Sequence, residues 1–327
     1  MKALVTGATG FVGSAVVRAL FNAGIEVRVL ARRDSDFSNL QAFKVQGAYG
    51  DLRDKDSLRK ALAGCQQLYH VAAHYALWAK NPSIFYDVNV TGTRNILEAA
   101  REAGTERIVY CSTIGAIGLP PEGGLGTEDT SVSLDQMAGH YKRSKYLAEQ
   151  EVLSMAKEGL PVVIVNPSAP VGEGDVKPTP TGQVIVDFMK GRMPAYIETG
   201  MNIVDVDDVA AGHLLAMEKG RIGERYILGA TNLMLREVFA ILSRLTGVAA
   251  PSIKLPRGLV LPLAYLNQAL AAATGIPPRI PLEGVKMAKY KMHYDCSKAI
   301  RELGIPQTPP EVALEKAVRW FRTHGYA

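Results

Sequence analysis

The stretch GHYKRSK, residues 139–145, places a phenol and an ammonium four positions apart, Tyr141 and Lys145. On a helix, positions i and i+4 share one face. A positive charge held beside a phenol favours the phenolate and lowers its pKa from about 10. Such a pair can give a proton to a substrate oxygen or take one from it near neutral pH. The oxygen then needs a hydrogen-bond partner, and YCSTIGAIG (residues 110–118) offers two hydroxyls, Ser112 and Thr113.

A second constellation stands at the amino-terminal end. The apolar run KALVTG leads directly into TGATGFVG, with glycines at 7, 10 and 13 and a helical pattern behind them. Gly7 permits a tight turn, Gly10 lets the backbone approach a pyrophosphate, and Gly13 lets the helix pack on the strand. The helix amino terminus presents unpaired N–H groups and a positive dipole to the phosphates. Gly7, Thr9, Gly10, Phe11, Val12 and Gly13 are therefore candidate dinucleotide-binding residues. The second β-rich run ends in ARRDSD, where an acid suits a ribose 2′-hydroxyl and an arginine suits a 2′-phosphate. Arg32 occupies that place, so NADP(H) is the preferred cofactor and NAD(H) the alternative. GDL supplies Asp51 and Leu52 near the adenine, and HVAA supplies the small residues Ala72 and Ala73 where backbone passes close to the cofactor.

Positioning these groups requires alternating strands and helices. Short β-rich runs, most of them continuously apolar, predict strands over Ala3–Thr6, Glu26–Ala31, Lys44–Ala48, Gln67–Ala72, Arg107–Ser112 and Val162–Asn166. Helical patterns cover Phe11–Ala23, Lys55–Ala63, Ile84–Ala103 and His140–Lys157. The alternation predicts an α/β, Rossmann-type, doubly wound parallel sheet whose ligand lies beyond the strands' carboxyl ends. Residues 1–166 form the expected dinucleotide-binding core. Residues 167–327 form a smaller carboxyl-terminal substrate-binding lobe, with some segments returning to the core. The Pro- and Gly-rich stretch Asn166–Gly182 reads as irregular, and a final amphipathic helix is expected near Glu311–Thr323. Gly258–Gly275 is apolar, but Pro262, Asn267 and Gln268 interrupt it and it is short for a membrane span. A buried or interface helix is the first reading there, and membrane-surface contact the second.

Composition narrows the class. A chain of 327 residues, 47% hydrophobic and 21% charged, is ordinary for a globular protein with a sizeable core. The net charge of +5 is scattered and argues against nucleic acid as a partner. Cys65, Cys111 and Cys296 are odd in number and widely spaced, with no metal pattern, so a reducing, cytoplasmic location is expected. A strand pattern from the second residue onward makes a signal peptide unexpected.

Taken together, the TGxxGxxG of Gly7, Gly10 and Gly13, the Ser/Thr pair and the YxxxK of Tyr141 and Lys145 resemble the extended short-chain dehydrogenase/reductase family, also called the NAD-dependent epimerase/dehydratase family. DVNVTGTRNILEAAREAG, NPSAPVG, VDVDDVAAGH and DCSKAIRELG read like segments of it, so the likeness spans essentially the whole chain. Within the family the chain is similar to dihydroflavonol-reductase-like proteins. GHYKRSKYLAEQEV with DVKPTPTGQVIVDFMKGRMPAY looks particularly like the branch called hopanoid-associated sugar epimerases. The resemblance implies a catalytic triad of Thr113, Tyr141 and Lys145, with Ser112 as the fallback hydroxyl. It implies that Asn89 supports the lysine and that Asn166, Pro167 and Ser168 flank the nicotinamide. It also implies a homodimer through the helices Ile84–Ala103 and His140–Lys157.

Three functions follow. One is reduction of an aldehyde or ketone. Another is sugar-nucleotide epimerisation or dehydration with tightly held cofactor, for which Lys177, Lys190 and Arg192 are candidate pyrophosphate contacts. The third is a non-catalytic dinucleotide sensor, which an intact Tyr/Lys/Thr set disfavours. Arg32 favours the first. His74, Tyr75 and Trp78, in HYALWAKNP, and Ser112 are candidate substrate contacts, with SAPVGEGD and Met201–Ile203 behind them.

Overall fold

The computed structural model describes residues 1–118 and 124–327. The first strand is apolar without alternation because both of its faces are covered. Ala3 and Val5 pack with Val16, Val17 and Leu20 on one side, while Leu4 packs with Leu58, Leu62 and Ile96 on the other. The same division recurs at Val163 and Val165 against Val162 and Ile164.

Through the first half of the chain the elements run β1 (Lys2–Thr6), α1 (Phe11–Asn22), β2 (Glu26–Ala31), β3 (Gln46–Tyr49), α2 (Lys55–Leu62), β4 (Gln67–His70), α3 (Ser83–Tyr86), α4 (Gly92–Glu102), β5 (Arg107–Cys111), α5 (Ile114–Ile117), α6 (Gly139–Lys157) and β6 (Val162–Pro167). There follow β7 (Ala169–Val171), α7 (Pro180–Met189), β8 (Ala195–Tyr196), β9 (Gly200–Asp205), α8 (Val206–Lys219), β10 (Arg225–Leu228), β11 (Thr231–Met234), α9 (Leu235–Thr246), β12 (Ile253–Lys254), α10 (Arg257–Thr274), α11 (Leu282–Met287), α12 (Ser297–Leu303) and α13 (Pro310–Thr323).

Seven strands form one parallel sheet in the order β10-β6-β5-β4-β1-β2-β3, with helices on both faces. Strand order reverses beside β1, and this switch point is where such sheets take their ligands. In register, Thr6 lies between Leu30 of β2 and His70 of β4, so the glycine loop leaves the sheet at that point. A smaller three-stranded sheet, β11-β9-β7, packs with α7, α9 and α13 around Phe188, Phe239 and Phe321.

Three expectations need correction. Asn166–Gly182 is not wholly irregular: Ala169–Val171 pairs with β9, and α7 starts at Pro180, where a proline at the first helical position costs no hydrogen bond. The helix expected over Ile84–Ala103 is interrupted by a π-helical turn, Asp87–Thr91. Finally, α10 is not a buried helix: Val260, Ala264 and Ala271 are buried and Leu261 packs beside them, while Leu259, Leu263, Leu266 and Leu270 are exposed.

Candidate active site

The loop between β1 and α1 closes on itself. The Gly10 N–H donates to Gly7 O at 3.0 Å, and Gly7 has a φ of +70°. A Cβ on Gly7 would stand 2.7 Å from the Ala72 backbone, and one on Gly13 would stand 2.6 Å from the Gly7 carbonyl carbon. The fold itself therefore demands these two glycines. Gly10 is different: a Cβ there meets nothing nearer than Gly7 O at 3.4 Å, so the protein alone has no need of a glycine. An exposed loop of this kind at a helix amino terminus leaves room for a phosphate to approach the backbone. Thr9 and Val12 are half-buried beside Gly10, and Phe11 is buried as the first helical residue.

Further polar atoms await partners along the strand ends. Ser112 Oγ, Asn166 Oδ1, Ser168 Oγ and His74 Nε2 are buried with no protein hydrogen bond. A dinucleotide laid over the carboxyl ends of β1, β4, β5 and β6 suits this set, since buried polar groups are otherwise paired. Ala72 and Ala73 are half-buried at the end of β4, with the Ala72 N–H donating to Thr6 Oγ1 at 3.1 Å. Pro167 is buried in β6 beside Leu228. Leu52 packs under Gly92 and its carbonyl accepts from Asn95 Nδ2 at 2.9 Å. Asp51 is clamped by Arg53 at 2.8 and 2.7 Å, and that hydrogen-bonded pairing holds its carboxyl down at about 2. Arg32 is exposed at the end of β2, 3.3 Å from Asp34; an exposed pair of this kind holds its partners weakly.

Tyr141, Lys145 and Thr113 converge from two elements. Thr113 caps α5, its Oγ1 accepting from the Gly115 N–H at 3.1 Å, which leaves the hydroxyl proton to donate. Tyr141 lies in the first turn of α6, half-buried, with the exposed Tyr75 ring 4.7 Å from its own. Lys145 is almost wholly buried one turn on. The expectation that Lys145 acidifies the phenol does not hold for the protein alone. Burial pushes the Tyr141 pKa well above its ordinary value, the neighbouring Tyr75 adds to that, and the Thr113 hydroxyl opposes it. The ammonium is engaged elsewhere: Lys145 Nζ donates to Tyr110 Oη at 2.8 Å and to Cys111 O at 2.9 Å, and lies 4.4 Å from the Tyr110 ring centroid. Burial lowers its own pKa to about 8, against the pull of Cys111 and Glu149.

The π-helical turn has a visible cause. Asn89 is buried there, its Oδ1 accepting from the His74 N–H at 2.7 Å and its Nδ2 donating to His74 O at 3.2 Å and Ser144 Oγ at 2.9 Å. Asn89 thus ties the loop after β4 to α6 beside Lys145, and π turns of this kind are frequent at functional sites. The His74 ring packs edge-on against Phe85 at 4.8 Å, and Trp78 is half-buried further along the loop. A cleft of about 320 Å³ opens between Gly115, Met137 and Lys142 on one side and Arg257, Lys286 and Tyr290 on the other.

The model of the NAD dependent epimerase/dehydratase family matches residues 3–229. The chain belongs to that family. It is 48% identical to a Synechocystis protein whose assigned name is dihydroflavonol 4-reductase, over 98% of this chain and 95% of the relative. It is 39% identical to the sterol demethylase protein B of Methylococcus capsulatus, over 99% of each. The crystal structure of the dTDP-glucose 4,6-dehydratase DesIV of Streptomyces venezuelae, with NAD bound, superposes with a TM-score of 0.80 at 26% identity, covering 99% of this chain and 97% of that one. This extended short-chain dehydrogenase/reductase is accordingly an NAD(P)-dependent oxidoreductase.

Family motifs leave out several groups that the fold brings to the site. His70 is buried between Thr6 Oγ1 at 2.7 Å and Thr93 Oγ1 at 3.1 Å, and burial lowers its pKa to about 3, so it is neutral. Glu149 accepts from Asn166 Nδ2 at 2.8 Å and pairs with Arg225 at 3.3 Å, bracing the end of β6. Lys142 is buried at the cleft wall with its pKa lowered by burial to about 8. Tyr110 was detectable as the one aromatic in the aliphatic strand β5. Its hydroxyl and ring face both engage the Lys145 ammonium. Tyr110→Phe keeps the ring face but removes the hydroxyl acceptor. A hydrogen bond to a charged group is worth about 1.5–3 kcal/mol, so the alkaline limb of the rate profile should move about one pH unit lower. An unchanged limb in a pH–rate series would remove Tyr110 from that role.

Proposed function

We propose that this enzyme reduces an aldehyde or ketone with NADP(H), using Tyr141 as the proton donor. The convergence of Tyr141 and Thr113 beyond β5, next to the unpaired Ser112 and Asn166 oxygens, carries the reading. The Tyr141 phenol is protonated at neutral pH and so has a proton to give to an oxygen that is gaining electrons. When bound, the reduced nicotinamide supplies hydride to the carbonyl carbon. Tyr141 gives its hydroxyl proton to the carbonyl oxygen while Thr113 hydrogen-bonds the same atom. Lys145 favours the phenolate left behind and holds the ribose hydroxyls. The glycine loop holds the pyrophosphate at the start of α1, with Asp51 and Leu52 at the adenine end. Ala72, Ala73, Asn166, Pro167 and Ser168 flank the nicotinamide, and Tyr75 and Ser112 face the substrate. His74 and Trp78 complete the substrate wall.

Arg32 supports the phosphorylated cofactor, because its weak tie to Asp34 leaves the guanidinium able to turn to a 2′-phosphate. Arg32→Ala should raise KM for NADPH by about 10- to 100-fold, the loss of one charge-assisted contact, and leave KM for NADH unchanged. Equal effects on both would remove Arg32 from cofactor choice. The likeness to a dTDP-glucose dehydratase holding NAD favours a second reading, sugar-nucleotide epimerisation or dehydration. Titration with both cofactors, followed by a panel of carbonyls and nucleotide sugars, decides between them. Tighter NADH and turnover of nucleotide sugars alone would overturn the reductase reading. The reading includes a homodimer through the α4 and α6 faces, to be checked by sedimentation velocity.

A further inference from the structure

We infer that α10 lies flat on an anionic lipid surface, with its leucine stripe in the headgroup boundary and the surrounding cations on the lipid phosphates. Leu259, Leu263, Leu266 and Leu270 follow one another at spacings of four, three and four, which puts them on one stripe of the helix. Each is more than half exposed, while Val260 and Ala264 pack with Val285, and Ala271 is buried, on a neighbouring face of the helix. Between Gly258 and Thr274 there is no charged residue. A helix with an outward face of this kind, in a water-soluble setting, would ordinarily carry charges there.

Charge identifies what covers the stripe. Residues 251–292 hold Lys254, Arg257, Arg279, Lys286, Lys289 and Lys291 against Glu283 alone. That segment carries the chain's entire net charge of +5, since the remaining residues hold 31 basic and 31 acidic side chains. All of these cations except the half-buried Arg257 are exposed, and Lys286 Nζ lies 5.3 Å from the ring of Tyr265 on α10 itself. A second copy of the chain docking on this face would set the cationic segment against its own image, because a two-fold interface uses one patch twice. An anionic bilayer is complementary to both the leucines and the cations. The helix is about 27 Å long at ~1.5 Å per residue, and no helix among the described residues is long and apolar enough to cross a membrane. It therefore lies on the surface. Arg257, Lys286 and Tyr290 also line the cleft beside Gly115 and Lys142. On the reductase reading above, docking turns that opening towards a carbonyl substrate dissolved in the lipid.

The test is sedimentation of the purified full chain with vesicles, which needs no turnover and so fails or succeeds independently of the reaction. Vesicles of phosphatidylcholine with about 30% phosphatidylglycerol should bind at least tenfold tighter than phosphatidylcholine alone. Leu263→Ser with Leu266→Ser should lose at least about tenfold, and both sites are exposed enough to leave the melting temperature unchanged. Lys254→Gln and Arg279→Gln should each cost about fivefold, and raised salt should mimic them. Absent sedimentation with anionic vesicles, or binding indifferent to the leucine pair and to salt, would overturn the inference. So would a change of oligomeric state in the leucine variant, which would make the stripe an interface between copies.

Discussion

Tyr141→Phe is expected to lower carbonyl reduction by about 10²- to 10⁴-fold, the range that a positioned general acid contributes. Cofactor affinity should stay within about threefold, because the lost interaction is one made to the reacting oxygen. The substitution removes a single hydroxyl whose protein neighbour is Thr113, and it keeps the ring that lies 4.7 Å from Tyr75. Stability should therefore change by about 1 kcal/mol or less. The wild-type profile has a further signature. Lys145, with a pKa of about 8, loses its proton as pH rises through that value, while the phenol, pushed above its ordinary pKa, is still protonated. Reduction should accordingly weaken above about pH 8 through the lysine and not through the tyrosine. The residual activity of Tyr141→Phe should keep that same alkaline limb. Single-turnover reduction combined with a cofactor titration checks both halves. Retention of more than about a tenth of wild-type turnover would remove Tyr141 as proton donor. Parallel loss of turnover and cofactor affinity would make it a binding group instead.

The strands were legible because the parallel sheet is buried on both faces, which writes Ile108–Cys111 and Val162–Val165 as continuous apolar runs. The catalytic candidates were legible through spacing: four residues along one helix, and a hydroxyl pair just past a strand. What could not be read depends on pairings between elements. Lys145 reaches Tyr110 and the Cys111 carbonyl because β5 runs beneath α6, and nothing local to GHYKRSK announces that. The phenol's raised pKa likewise follows from packing, since burial and the neighbouring Tyr75 act on it. The π turn at Asp87–Thr91 is set by the grip of Asn89 on the His74 backbone, a contact fifteen residues back along the chain. Pro180 lies in the stretch read as irregular and starts a helix, because the direction of a proline's effect depends on whether the helix lies before or after it.

Gly13→Ala and Gly10→Ala, three residues apart in one loop, should fail in different ways. A methyl on Gly13 would stand 2.6 Å from the Gly7 carbonyl carbon and 3.0 Å from Ala8 Cα. Both are backbone atoms of the turn, so α1 must shift away from β1. Overpacking of this kind costs about 1–3 kcal/mol and more where the neighbours are rigid, so the melting temperature should fall and dinucleotide binding with it. A methyl on Gly10 meets no such obstacle. Its φ is −88°, open to any residue, and its nearest neighbour would be Gly7 O at 3.4 Å. Replacing a capping glycine by alanine costs about 1 kcal/mol at most. Yet that methyl stands on the exposed rim of the loop, where the pyrophosphate must come close to the N–H groups of α1. Gly10→Ala should fold like the wild type and lose at least about tenfold in NADPH affinity. Thermal unfolding with and without NADPH separates the two variants directly, since a bound ligand raises the transition only where the site still takes it. A Gly10→Ala protein that bound NADPH as tightly as the parent would mean that the phosphates do not pass over this loop. The assignment of the cofactor to the switch point beside β1 would then fall with it.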